Sequence, residues 1–224
     1  MNPPKICVSV AAMDGEGAIE ATRKAVAYHP DFIEVRLDYM ERVKDLGKLR
    51  SITELPMIAT NRPKGEGGRF KGSEKKRIGD LLSACETGFD YVDLELTASE
   101  SIEQIRDLGA RVILSHHNFS DTPSLIRLND ILDEMMKHRP DICKIVGTAG
   151  TVGDNLTYLE LIRRSKRKTG IVSFGMGEAG LLSRILSPLI GGEYTYASTR
   201  EGEETAQGQL PIGMMRDLYE MLEF

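Results

Sequence analysis

The chain has 224 residues, 41% hydrophobic and 28% charged, which is enough apolar material for a sizeable core and speaks against disorder. Lys and Arg number 29 against 34 Asp and Glu, and the formal net charge of −5 gives no bulk attraction to nucleic acid or to anionic lipid. No window approaches the roughly 18 uninterrupted apolar residues of a membrane span, residues 1–6 lack a signal-peptide layout, and three widely spaced cysteines exclude a disulfide framework, so a reducing cytoplasm is expected.

In chain order, residues 6–11 read as a first strand and residues 18–28 as an alanine-rich helix. Strands follow at 32–38 and 57–61. The run Gly65-Glu66-Gly67-Gly68-Arg69 reads as a flexible loop and lacks the lysine and spacing of a phosphate-binding loop. Residues 73–85 read as a helix that opens at Ser73 and carries Ile78, Leu81 and Leu82 on one side. Strands are predicted at 91–96 and 112–115. A helix over 124–136 bears Leu125, Leu128, Ile131, Leu132 and Met135 at helical spacing. The last strands are predicted at 142–146, 171–174 and 194–198. Glycines at 88, 109, 170 and 191 fall where helices should stop. The polar stretch 200–208 after the last strand reads equally as a mobile lid or as an ordinary surface loop.

Strict alternation of strands and helices means parallel strands joined by helical crossovers. Eight such units in 224 residues leave about 28 residues each, near the lower limit for a closed (β/α)8 TIM barrel. With no linker or composition break in view, a single barrel domain over residues 1–224 is expected in preference to an open doubly wound sheet.

Parallel strands covered on both faces normally read as continuous apolar runs. Two strands here do not. Glu34, Arg36 and Asp38 alternate with aliphatic residues, and so do Asp93 and Glu95. Period two puts each set on one face, and since the outer face must be apolar to receive helices, the charges should point into the barrel. They then form a structural ion network or line an active site at the strand C-termini. Lys144 sits alone in Asp141-Ile142-Cys143-Lys144-Ile145-Val146, where it is either an amine prepared by burial to form a Schiff base or the partner of an inward carboxylate. His116 and His117 follow a strand and should leave it on opposite faces, so they cannot share a metal; one of them can act as an acid/base at the barrel mouth. Gly175-Met176-Gly177-Glu178-Ala179-Gly180 fits the GxGxxG pattern but lies after the seventh strand. A tight turn or an anion site followed by Arg184 is therefore expected in preference to a dinucleotide site. No dedicated metal-binding pattern occurs.

Glu34-Val35-Arg36-Leu37-Asp38, Asn61-Arg62 with Glu66-Gly67-Gly68, Ser115-His116-His117-Asn118-Phe119, Asp141-Ile142-Cys143-Lys144-Ile145, Ser183-Arg184 and Gly208-Gln209 occur in that order, each at a strand end. Together they resemble the type I 3-dehydroquinate dehydratases, Schiff-base hydro-lyases of the shikimate pathway, over nearly the whole chain. The resemblance implies a (β/α)8 barrel, a homodimer, 3-dehydroquinate as the small-molecule substrate, and no metal or organic cofactor. It implies that Lys144 forms the imine, His117 is the acid/base and Glu66 supports it. Glu34, Arg36 and Arg62 would surround the substrate hydroxyls and the lysine. Arg184 would bind the substrate carboxylate, Ser9 would reach the pocket from the first strand, and Gln209 would belong to a lid. The lid usually carries serine where this chain has Thr205, and the retained hydroxyl is expected to keep its hydrogen bond. A class I aldolase acting on a sugar phosphate and a non-catalytic sugar-acid-binding barrel remain the alternatives. A phosphate site near the last two loops would favour the first, and loss of Lys144 or His117 the second.

Overall fold

Why eight short apolar runs form one cylinder follows from which residue of each faces which way. The computed structural model describes residues 3–165 and 169–224; residues 1–2 and 166–168 of the expected domain lie outside the described residues. The strands are β1 (Ile6–Ala11), β2 (Phe32–Arg36), β3 (Met57–Thr60), β4 (Tyr91–Glu95), β5 (Arg111–Asn118), β6 (Ile142–Thr148), β7 (Gly170–Met176) and β8 (Thr195–Ala197). All ladders are parallel, in the order β7-β6-β5-β4-β3-β2-β1-β8. The chain is a single (β/α)8 TIM barrel, nearly closed. Among the described residues no ladder joins β7 to β8, and the seam is crossed near its base by the Glu193 amide donating to the Ile171 carbonyl at 2.8 Å.

The helices are α1 (Gly15–Val26), α2 (Leu46–Arg50), α3 (Glu74–Glu86), α4 (Ile102–Asp107), α5 (Leu125–Lys137), α6 (Asn155–Arg164), α7 (Leu181–Leu186) and α8 (Ile212–Met221). Outward strand residues such as Val8, Val35, Val92 and Leu114 pack with the buried faces of these helices. Inward residues form a separate apolar floor from Cys7, Phe32, Ile58, Tyr91, Ile113, Ile142 and Tyr194. Three helices open on side-chain caps. Asp14 accepts from the Gly17 amide at 2.8 Å, Ser73 from Lys76 at 3.3 Å and Ser124 from Arg127 at 3.3 Å.

Several expectations needed correction. The second strand ends at Arg36, because Leu37–Tyr39 winds into a 3-10 turn. Asp38 therefore leaves the strand period and turns back onto the Arg36 guanidinium with two 2.8 Å hydrogen bonds. The first helix starts at Gly15 rather than residue 18, since its cap is Asp14. The fifth strand runs on through both histidines to Asn118. Gly88, Gly109 and Gly191 follow helices with positive φ, as expected, but Gly170 opens β7. The 65–69 loop is a hydrogen-bonded turn: the Gly68 amide donates to Pro63 and the Phe70 amide to Arg62.

Candidate active site

Two residues beyond each floor residue, on the same inward face, the strands turn polar. Cys7 is followed by Ser9, Phe32 by Glu34, Ile58 by Thr60, Tyr91 by Asp93, Ile113 by Ser115, Ile142 by Lys144 and Tyr194 by Tyr196. The barrel thus carries a buried polar layer on an apolar base, open toward the strand C-termini.

Lys144 lies at the centre of this layer. Its Nζ is 2.8 Å from Asp93 Oδ2, 3.1 Å from the Tyr196 hydroxyl and 3.9 Å from Glu34 Oε1. The sequence left open whether this lysine is prepared by apolar burial or paired with a carboxylate, and the structure pairs it with Asp93. Asp93 also meets Arg62, Nη2 to Oδ1 at 2.7 Å, while Arg62 Nη1 reaches Glu95 and Ser115. Arg77 of α3 holds the other oxygen of Glu95. Burial alone would raise the Asp93 pKa, but the Arg62 and Lys144 charges outweigh it and hold this carboxyl well below the usual carboxylate range. Glu34 is held by hydroxyls: Ser9 Oγ donates at 2.5 Å and Thr60 Oγ1 at 2.9 Å.

The His117 side chain, 9% exposed, lies beside this cluster. Burial first, then the positive charges of Arg62 and Lys144, push its pKa well below the ordinary histidine value, so the ring is neutral. Its Nδ1 has no hydrogen-bond partner among the described residues. Glu66 Oε2 lies 4.0 Å away, so the expected supporting carboxylate is near the ring without being bonded to it. Burial raises the Glu66 pKa. The imidazole stacks on Phe119, with centroids 5.9 Å apart and planes 14° apart. Gly67, at φ +76°, packs so closely under this ring that a Cβ would lie 2.4 Å from Phe119. His116 faces the other way, half-buried with Arg127 of α5 nearby, as strand alternation predicted.

Arg184 supplies the positive end of the cavity. Its guanidinium sits 4.3 Å over the Phe174 ring, and Nη2 donates to the Gln207 carbonyl at 3.3 Å, but Nε has no partner. Burial pulls its pKa down to about 10. A buried guanidinium with unused donors is a seat for a carboxylate or another small anion. The loop after β8 covers it. The Thr205 amide donates to Gln209 Oε1 at 2.8 Å, so the two expected lid residues are joined to each other.

The structure brings Ser9, Glu34, Arg36, Arg62, Glu66, His117, Lys144, Arg184, Thr205 and Gln209 to one cavity. The sequence reading had no role for three of their neighbours. Asp93 was recognised as an inward charge but not as the lysine's partner. Tyr196 is assigned only to the last strand and Phe119 only to the motif that holds the two histidines; the alternation Tyr194-Thr195-Tyr196 is the signal that the second tyrosine faces the lysine. The GxGxxG segment proves to be a tight turn, in which a Cβ on Gly180 would collide with the Gly175 backbone. Its three glycine amides are bonded within the protein: Gly175 donates to Ser183 Oγ, Gly177 to Gln207 and Gly180 to Gly177. These three glycines therefore offer no free amides to a phosphate. Among the described residues no cluster of His, Cys, Asp and Glu is arranged to hold a metal ion, and no helix is long and apolar enough to cross a membrane.

Comparison with known proteins agrees in family and fold. The family described as type I 3-dehydroquinase matches residues 6–223. A 3-dehydroquinate dehydratase of Dehalococcoides mccartyi is 35% identical over 226 residues, spanning 100% of this chain and 98% of that protein. One from Coxiella burnetii is 33% identical over 225 residues, covering 98% of this chain and 94% of the relative. The crystal structure of the type I enzyme from Clostridium difficile, with covalently modified comenic acid, superposes with a TM-score of 0.89 at 25% identity, covering 99% of this chain and 93% of that one. The 3-dehydroquinate dehydratase from Geobacillus kaustophilus, at 24% identity and a TM-score of 0.92, has the same fold over 99% of this chain and 92% of its own.

Proposed function

This chain belongs to the type I 3-dehydroquinase family, and from that membership we infer how its own residues dehydrate 3-dehydroquinate to 3-dehydroshikimate in the shikimate pathway. The observation that carries the reading is one cavity holding a buried lysine, a neutral histidine and an arginine with unused donors.

The substrate is a β-hydroxy ketone whose α-proton is too weakly acidic for a neutral base. Lys144 condenses with the ketone, water leaves, and the protonated imine becomes an electron sink at the neighbouring carbon. Asp93, held ionised by Arg62, is the counter-charge for the iminium. His117 has its lone pair free because its pKa is depressed, so it takes the α-proton. The resulting enamine expels the β-hydroxyl, and His117 returns the proton to the leaving oxygen. Water then hydrolyses the imine and frees Lys144. Arg184 holds the carboxylate, Glu34, Arg36 and Arg62 surround the hydroxyls, Glu66 backs the histidine across 4.0 Å, and Ser9, Thr205 and Gln209 close the pocket. We propose a homodimer, as the family resemblance implies, in a reducing cytoplasm, as the cysteine usage suggests, with no nucleic-acid partner.

Turnover is the direct test. Mixing the protein with 3-dehydroquinate should produce the conjugated ketone product, read by its ultraviolet absorbance, and the rate should survive EDTA. A large loss on chelation, restored by a divalent ion, would contradict the cofactor-free route. Arg184→Ala should mainly weaken substrate binding, by about 2–5 kcal/mol for a buried charge-assisted pair, and so raise KM with a smaller change in kcat. An unchanged KM would remove Arg184 from the carboxylate site.

A further inference from the structure

The Schiff-base route needs Lys144 as an amine at the moment of attack, yet its nearest neighbour is Asp93, a carboxylate held ionised by two cations. That carboxylate stabilises charge on the nitrogen and is a poor acceptor for its proton. A second carboxylate, Glu34, is differently placed. Among the described residues no arginine lies within salt-bridge distance of it, and its other bonds come from the Ser9 and Thr60 hydroxyls. But Glu34 Oε1 is 3.9 Å from Lys144 Nζ, too far for direct proton transfer. Tyr196 fills the gap. Its hydroxyl lies 3.1 Å from Nζ and 3.3 Å from Glu34 Oε1.

Donor and acceptor capacity fixes the direction of these bonds. An ammonium only donates, so Tyr196 accepts from Lys144. A carboxylate only accepts, so the single hydrogen of Tyr196 goes to Glu34. Tyr194, 3.3 Å from Tyr196, then donates to it. Burial, followed by the negative charge of Glu34, raises the Tyr196 pKa well above the usual phenol value, so the hydroxyl keeps its hydrogen.

We propose that Tyr196 is a proton relay from Lys144 to Glu34 that generates the nucleophilic amine, an inference that rests on Lys144 being the imine lysine. In this step an N–H bond of the ammonium breaks and an O–H bond forms on Tyr196. The original O–H bond of Tyr196 breaks and one forms on Glu34 Oε1. Ammonium and carboxylate become amine and carboxylic acid, the tyrosine is regenerated, and nothing is oxidised or reduced. The relay runs backward when hydrolysis of the imine releases the amine. Ser9 and Thr60 hold Glu34 in place as the proton's terminus.

The test is the rate at which a borohydride-reducible adduct forms when protein and 3-dehydroquinate are mixed and quenched at short times. Tyr196→Phe keeps the ring packed against Tyr194 and Phe174 and removes only the oxygen. It should slow adduct formation about 10-fold or more, at the low end of what acid/base groups contribute, while the final yield stays the same. An unchanged rate overturns the relay. Wild-type protein in mixtures of light and heavy water gives a second measurement that does not depend on the variant folding. Two protons moving together make the rate of adduct formation fall along a bowed curve with deuterium fraction. A straight line in the wild type, or a bow that persists in Tyr196→Phe, overturns the relay. No adduct in the wild type at any time would instead sink Lys144 as the imine lysine, and the relay with it.

Discussion

Lys144→Ala should leave almost no turnover, a fall in kcat of about 10⁴ or more, in the range that loss of a covalent nucleophile costs other enzymes. The side chain is the only lysine bordering the cavity among the described residues, and no neighbour can form an imine in its place. Borohydride added to wild-type protein with 3-dehydroquinate should add one ligand mass and abolish activity. Peptide mapping should find the adduct on Lys144 and not on Lys5, Lys64 or Lys137. The variant should show no adduct. Removing one partner of a buried pair costs roughly 3–5 kcal/mol when the other charge is stranded. Here Asp93 keeps Arg62 at 2.7 Å, so the loss of stability should fall below that range. A melting curve therefore separates chemistry from folding, and ligand binding through Arg184 should persist. Full activity with no trapped adduct would reject the Schiff-base class, whereas an adduct with sugar phosphates but not with dehydroquinate would keep the lysine and change the substrate.

The second large effect belongs to His117. His117→Ala should cut kcat by roughly 10²–10⁴ while the substrate imine still forms and accumulates, because the step removed comes after condensation. His116→Ala should change little, since its ring leaves β5 on the outer face toward α5. Equal losses, or the reverse order, would mean that the wrong ring was chosen. The electrostatics give the pH profile a sign. A depressed pKa keeps His117 neutral, and therefore basic, as pH falls through the usual histidine range. The acid limb of kcat/KM should lie below about 6.5, the unperturbed value. The charged groups that set it come from the segment after β3, from β4 and from β6: Arg62, Asp93 and Lys144. An acid limb at or above that pH that disappears in His117→Ala would show that the ring is not held neutral.

Much of this architecture was legible because the barrel has two kinds of face. Alternation of apolar and charged residues in β2 and β4 revealed the lumen, and the first strand was found at its observed bounds, Ile6–Ala11. Helices with long apolar stripes, α3 and α5, were legible, the first together with its opening serine. The short helices α2, α4 and α7 were not, since fewer than two turns carry no readable period, and the ten-residue α6 and α8 were not assigned either. Asp38 was misplaced because a 3-10 turn ends the strand period one residue after Arg36. The partnership of Lys144 with Asp93 spans 51 positions and depends on the register of β4 with β5 and β5 with β6, which single-strand patterns do not encode. Tyr196 was missed for another reason: a buried aromatic reads as filling, and its hydroxyl has no meaning until its neighbours are known. The ten site residues came from a family resemblance together with chemistry, and the cavity they border is where the fold unites them.

The incomplete seam has a consequence for how the barrel breathes. β5 and β6 share six register positions and β6 and β7 seven, whereas β8 has three, all with β1. On its other side β8 is tied to α7 by Thr195 Oγ1 donating to the Arg184 carbonyl at 2.7 Å. Local opening starts where the backbone is least paired, and β8 has a ladder on one side only, so slow amide hydrogen exchange should belong to β5 and β6 and faster exchange to β8. Such an opening would carry Tyr196 away from Lys144 and loosen the backbone beneath Arg184, yet leave Lys144 on β6, Asp93 on β4 and Arg62 just after β3 paired. The opened molecule would be folded but catalytically silent, and the opening is opposed by the three pairs with β1 together with the Glu193–Ile171 and Thr195–Arg184 bonds rather than by the whole cylinder.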